Sequence, residues 1–132
     1  MSRDESTIRR GNLKTEGEAL SYEMAATAAR AASEMFAKGV TVVDLRGLVS
    51  YTDYFVIASA ETERQTRRVA EEVIERMIQN GHRPRSKRIQ EGTTWISLDF
   101  LDVVVHIFTD EARDYYRLES LWRSAPQERW AG

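Results

Sequence analysis

Ser97 and His106 are the side chains best suited to carry chemistry in this chain. They fall on two alternating stretches, Thr94–Leu98 and Val103–Phe108, joined by Asp99-Phe100-Leu101-Asp102. A tight hairpin would make them cross-strand neighbours, and a serine beside a histidine is the start of a nucleophile–base pair. That pair works only with an orienting acid and an oxyanion hole. Asp99 or Asp102 is placed to orient the imidazole, but aspartates there are also ordinary turn chemistry. There is no GxSxG elbow and no cysteine, so thiol nucleophiles, zinc–thiolate sites and disulfides are excluded. The two histidines, His82 and His106, lack the HxH or HExxH spacing of a metal site. No GxxxxGK[ST] or GxGxxG loop is present. The stretch from Ser59 to Thr62 leads into a helix start, which a plain N-cap explains. The residues assign no cofactor and no catalytic set.

Surfaces are more informative. Along Thr94–Asp99, Trp95, Ser97 and Asp99 point one way, and Thr94, Ile96 and Leu98 the other. A tryptophan thus shares a sheet face with a serine and a carboxylate. Either it tucks under the last helix, or it anchors a protein partner beside an acidic rim. Phe100 and Leu101 stand at the hairpin tip, where polar residues or glycine are usual. A second surface is the basic run Arg83, Arg85, Lys87 and Arg88. On a strand, Arg83, Arg85 and Lys87 would share a face and could meet a phosphate backbone. The same charges, with Pro84, also guard a sheet edge against aggregation.

The elements that hold these residues follow from periodicity. Tyr22, Ala25, Ala26, Ala29, Ala32 and Phe36 recur at helical spacing, and Gly39 is the expected helix stop. Val40–Leu45 and the apolar run Tyr54–Ala58 read as strands. Thr62 to Gln65 is a capping box opening a helix to about Asn80, with Val69, Val73 and Met77 inward and Gly81 as stop. An edge strand, Arg83–Ile89, precedes the hairpin. Thr109 or Asp110 then caps a last helix carrying Tyr115, Tyr116, Leu118, Leu121 and Trp122. The order α-β-β-α-β-β-β-α predicts an α/β fold, a mixed β-sheet with packed helices. The 132 residues, 42% hydrophobic and 30% charged, suit one domain spanning 18–123, between a polar tail at 1–17 and a C-terminal tail at 124–132. A formal charge of −2 gives no global pull toward nucleic acid or membrane. With no apolar run long enough to span a bilayer, a cytoplasmic protein is expected.

Ser50-Tyr51-Thr52-Asp53-Tyr54-Phe55-Val56-Ile57-Ala58, Arg64-Gln65, Glu91-Gly92 with Trp95, Asp99, Asp102-Val103-Val104-Val105-His106-Ile107-Phe108, Arg113, Tyr115-Tyr116, Leu118-Glu119 and Leu121-Trp122 resemble the ribosomal silencing factors of the Iojap family. The resemblance covers about Ala19 to Trp122. It implies a translational repressor, not an enzyme, that binds the large ribosomal subunit through a basic protein on its intersubunit face and blocks joining of the small subunit. It points to Trp95, Leu98, Asp99, Phe100, Leu101, Asp102, Tyr115 and Tyr116 as the contact set. Ribosomal RNA contact through Arg83, Arg85, Lys87 and Arg88, and a homodimer through the alanine-rich helix or an edge strand, are further expectations. The implied fold is similar to nucleotidyltransferases, but their D-h-D carboxylate pair is reduced here to Asp53-Tyr54-Phe55, which leaves no two-metal ligand set. A residual nucleotidyltransferase-like enzyme and a direct RNA-binding module are the alternatives. Family members commonly place glycine where this chain has Leu101. A leucine there needs a negative φ or costs roughly 1 kcal/mol or more.

Overall fold

A computed structural model describes residues 16–90 and 94–130. Helix α1 (Glu16–Glu34) leads to β1 (Lys38–Asp44) and β2 (Tyr54–Ala60), and α2 (Glu63–Gln79) follows. Then come β3 (Ser86–Gln90), β4 (Trp95–Asp99), β5 (Val103–Thr109), α3 (Asp110–Tyr116), the short α4 (Leu118–Leu121) and β6 (Gln127–Arg129). The predicted order is present, with α4 and β6 added. The expected tail at 1–17 lies largely outside the described residues.

The six strands form one mixed sheet in the order β3-β4-β5-β2-β1-β6. Only β2 and β5 run parallel, since α2 and the intervening strands carry the chain back across the sheet. Alternation gives this sheet two apolar faces. Tyr54, Val56, Ala58, Ile96, Leu98, Val103, Val105 and Ile107 pack beneath α1 and α2. The opposite face carries Val43, Phe55, Ile57 and Phe108, covered in part by Ala112, Leu118, Trp122 and Ala125. The alanine stripe of α1 is consumed in the first layer, with Ala25, Ala28, Ala29, Ala31 and Ala32 fully buried. It is therefore not a surface for self-association, contrary to the expectation above.

Local chemistry explains the element ends. In α2 the capping box forms: Thr62 Oγ1 accepts the Gln65 N–H at 3.2 Å, and Gln65 Oε1 accepts the Thr62 N–H at 3.2 Å. Its stripe of Val69, Val73 and Met77 is buried, each side chain contributing about 1.5–3 kcal/mol before entropy. The stop of α1 is not Gly39. Phe36 takes the left-handed conformation (φ 65°), and the Ala37 N–H closes on the Ala32 carbonyl at 3.0 Å. Gly39 lies inside β1 at φ 55°, where a Cβ would sit 2.9 Å from the Arg113 guanidinium. The expected C-terminal tail at 124–132 is corrected too, since Gln127–Arg129 pairs with Val43, Val42 and Thr41 of β1. Tyr22 Oη donates to Glu128 at 2.7 Å and fastens this polar edge to α1.

Candidate functional site

Trp95, Ser97 and Asp99 on β4 lie beside Phe108, His106 and Val104 on β5. The indole packs on Phe108 (ring centroids 4.9 Å) and on Tyr116 of α3 (4.8 Å). Its Nε1–H donates to His106 Nδ1 at 3.0 Å. Trp95 is thus tucked beneath α3 yet only partly buried, so the two readings of it describe one geometry. From His106 the aromatic series continues to Phe55 (4.5 Å, 77°), and from Phe55 to Trp122 (6.2 Å) and Tyr51 (6.5 Å).

His106 is buried and carries no base function here. Burial pushes its pKa down to about 4. Its Nδ1 is occupied by the indole donor, and Ser97 Oγ stands off at 3.5 Å. Among the described residues no carboxylate orients the ring. Asp99 instead binds Arg85 Nη2 at 2.9 Å and accepts the Leu101 N–H at 2.8 Å. Burial pushes the Asp99 carboxyl up, but those two hydrogen bonds and the Arg85 and Arg88 charges outweigh it, so its pKa falls below the usual value. The Ser97–His106 pair is therefore brought together without the acid that a hydrolytic triad needs. Among the described residues no group of three or more His, Asp or Glu side chains could hold a metal ion.

Of the eight predicted contact residues, Trp95, Asp99, Leu101, Asp102, Tyr115 and Tyr116 reach the surface. Leu98 and Phe100 do not. Leu98 is 0% exposed and Phe100 4%, both pointing into the layer under α1 and α2. For Leu98 the cause is strand alternation. For Phe100 it is the tip, where the Asp102 N–H bonds the Phe100 carbonyl at 3.0 Å around Leu101 at φ 78°. That turn rolls Phe100 inward and leaves Leu101 51% exposed. Tyr115 and Tyr116 are both exposed, with Tyr116 the one that covers Trp95.

The basic run is split rather than one-sided. Arg83 and Arg85 precede β3. Lys87 registers with Leu98, on the α1/α2 side, and Arg88 with Ser97, on the Trp95 side. Arg85 is committed to Asp99, which also removes the simple acidic rim.

Sequence reasoning missed Tyr51 and Phe55 as parts of this face, and missed Arg113 as its fastener. Arg113 donates to Glu119 Oε2 (2.8 Å), the Gly39 carbonyl (2.8 Å), the Lys38 carbonyl (3.0 Å) and Ser59 Oγ (3.2 Å). It ties α3 and α4 to the β1–β2 end of the sheet and so holds Tyr116 over Trp95. Alternation within β2, which sets Phe55 opposite in face to Tyr54 and Val56, was the available signal for Phe55; nothing local in the sequence marks the reach of Arg113.

This arrangement defines a class: a mixed-sheet α/β domain whose distinctive feature is an aromatic face around Trp95, with no assembled reaction centre among its described residues. The comparisons give the class its family. Residues 18–131 match the family described as "Ribosomal silencing factor during starvation". The ribosomal silencing factor RsfS of Bacillus subtilis is 32% identical over 75% of this chain and 84% of its own length. Maize chloroplastic Iojap is 36% identical over 83% of this chain and 47% of its own length. A crystal structure from Chromobacterium violaceum superposes with a TM-score of 0.73 at 28% identity, covering 76% of this chain and 84% of that one. A Bacillus halodurans structure gives 0.71 at 28% identity, over 83% and 99%. The chain belongs to the ribosomal silencing factor family, whose name denotes a regulator of translation rather than an enzyme. No helix among the described residues is long and apolar enough to cross a membrane.

Proposed function

We propose that this domain binds the large ribosomal subunit through the Trp95 face, seated on a ribosomal protein at the intersubunit surface, and thereby blocks joining of the small subunit in the cytoplasm. The observation that carries this reading is the indole of Trp95, only partly buried and fixed between Phe108 and Tyr116. Immobilised aromatic anchors lose little entropy on binding, which is why they dominate interfaces. Trp95, Leu101, Tyr115 and Tyr116 supply apolar contact, and Asp102 supplies an exposed carboxylate for a basic partner. Asp99 contributes through its pair with Arg85. Leu98 and Phe100 support the face from beneath. A rigid body with a radius of gyration of about 14 Å, seated at a subunit junction, needs no chemistry to exclude the opposite subunit. Arg83 and Arg88 are the candidates for accompanying ribosomal RNA contact. For a homodimer, the edge strands β3 and β6 are the places the sheet offers.

Sedimentation of the purified protein with isolated subunits tests this. Co-migration with the large subunit and fewer joined ribosomes are expected. Absence of co-migration at physiological salt overturns it, and nucleotide, magnesium and RNA titrations then become the relevant measurements.

A further inference from the structure

We infer that His106 is a positioning residue of the docking face: its neutral imidazole, protonated on Nε2, accepts the Trp95 indole N–H and fixes the orientation in which that indole meets a partner. The inference rests on the docking reading above, but its central geometric claim stands without it.

Two ring nitrogens and one proton make the argument. The indole Nε1–H is a donor only, so His106 Nδ1, 3.0 Å away, must offer a lone pair. In a neutral imidazole the proton then sits on Nε2. Nε2 is buried and has no hydrogen-bond partner among the described residues, so none of them fixes this tautomer from that side. The ring itself cannot turn freely. Phe55 packs edge-to-face against it at 4.5 Å, and Phe108 stacks at 6.4 Å. The acceptor is therefore held by the sheet, while the donor sits on the side chain that is only partly buried. An indole between Phe108 and Tyr116 has apolar contacts but no other direction-setting bond, since apolar packing is non-directional. The His106 lone pair sets which indole edge turns outward. Ser97 Oγ, 3.5 Å from the same nitrogen, is too distant to replace it.

The chain has three tryptophans and two histidines, so the relevant resonances are assignable. Nitrogen-15 spectra of the intact protein report the tautomer, and the Trp95 indole N–H signal reports its hydrogen bond. Two variants separate positioning from mere packing. His106→Leu removes the acceptor; His106→Asn restores one, because its Oδ1 lies near the place of Nδ1. Both lose stability, so thermal melts are measured beside large-subunit binding. The expected result is an Nε2-protonated ring, a displaced indole signal in His106→Leu and its recovery in His106→Asn. Large-subunit affinity should fall about tenfold in the leucine variant and stay within about threefold of wild type in the asparagine variant. An Nδ1-protonated ring, or an indole signal unmoved by His106→Leu, overturns the inference. So does equal binding by all three proteins when Trp95→Ala binds weakly. If Trp95→Ala binds normally as well, the docking reading falls, and the role of His106 in docking falls with it.

Discussion

Trp95 and His106 divide one task between a partly buried and a buried side chain, and each makes a separate prediction. Truncating Trp95 to alanine removes the aromatic anchor and leaves Tyr116 without its support. Large-subunit affinity should fall by roughly 2 kcal/mol or more, on the order of thirtyfold, measured by sedimentation at fixed salt. Unchanged affinity in a folded Trp95→Ala protein would remove the assignment. His106 predicts a pH dependence. Its pKa is about 4 when folded, against 6.5 for a free imidazole, so on acidification the unfolded chain takes up the proton first. The contribution of His106 to stability is therefore constant above pH 7 and declines as pH falls from about 6.5 to about 4, by on the order of 3 kcal/mol. Urea midpoints across that window should show the slope, and His106→Asn should flatten it. Asp99 acts in a lower range, because its folded pKa lies below the usual carboxylate value. Trp95 was legible in the sequence because period two put it on a polar face. The role of His106 was not, because an acceptor is identified only once its donor stands beside it.

At the scale of elements, the hairpin tip and the Arg113 clamp bear most on how the face is presented. Leu101 holds φ 78° with no hydrogen-bonding side chain to favour it, a conformation costing an L-residue roughly 1–2 kcal/mol. Leu101→Gly should relieve that strain, less the greater freedom glycine has when unfolded, for a net gain of about 0.5–1 kcal/mol. The melting temperature should rise while large-subunit affinity drops, because an exposed apolar contact is lost. A variant that is both less stable and equally tight would show that this turn is relaxed. Arg113→Ala should act oppositely. Removing a nearly buried guanidinium strands Glu119 and two carbonyls, at about 3 kcal/mol, and frees α3 from the sheet. Thermal melts would show the loss, and Trp95 fluorescence should move as Tyr116 loosens. Helices and strands with strong periodicity, such as α2 and the β4–β5 hairpin, were readable directly from sequence. What escaped was non-periodic. The three polar residues of β6 carry no alternation signal, and a left-handed phenylalanine ending α1 runs against the glycine preference that pointed to Gly39. The start of β3 at Ser86 likewise left Arg83 and Arg85 outside the strand, which alternation alone could not reveal.

For the whole molecule, the distribution of charge decides what sort of contact holds it on a ribosome. A one-sided basic strip would have implied an RNA-dominated footprint. Instead Lys87 faces the α1/α2 side, Arg85 is bound to Asp99, and only Arg88 shares the Trp95 side within β3. With a net charge of −2, few phosphates can be neutralised in the docked orientation. Counterion release then predicts a shallow dependence, with log K falling against log salt at a slope of about −2 or less steep. A protein-centred contact of aromatic and apolar groups has no such requirement and survives rising salt. Large-subunit binding measured over a salt series should therefore remain strong where a phosphate-reading module would dissociate. Arg88→Glu should reduce the slope by about one, and Lys87→Glu should leave it unchanged, since its side chain turns to the opposite side of the sheet. A slope of about −6 or steeper, or equal sensitivity to both substitutions, would mean that the molecule docks by its β3 edge. The Trp95 face would then be free for something other than the ribosomal protein.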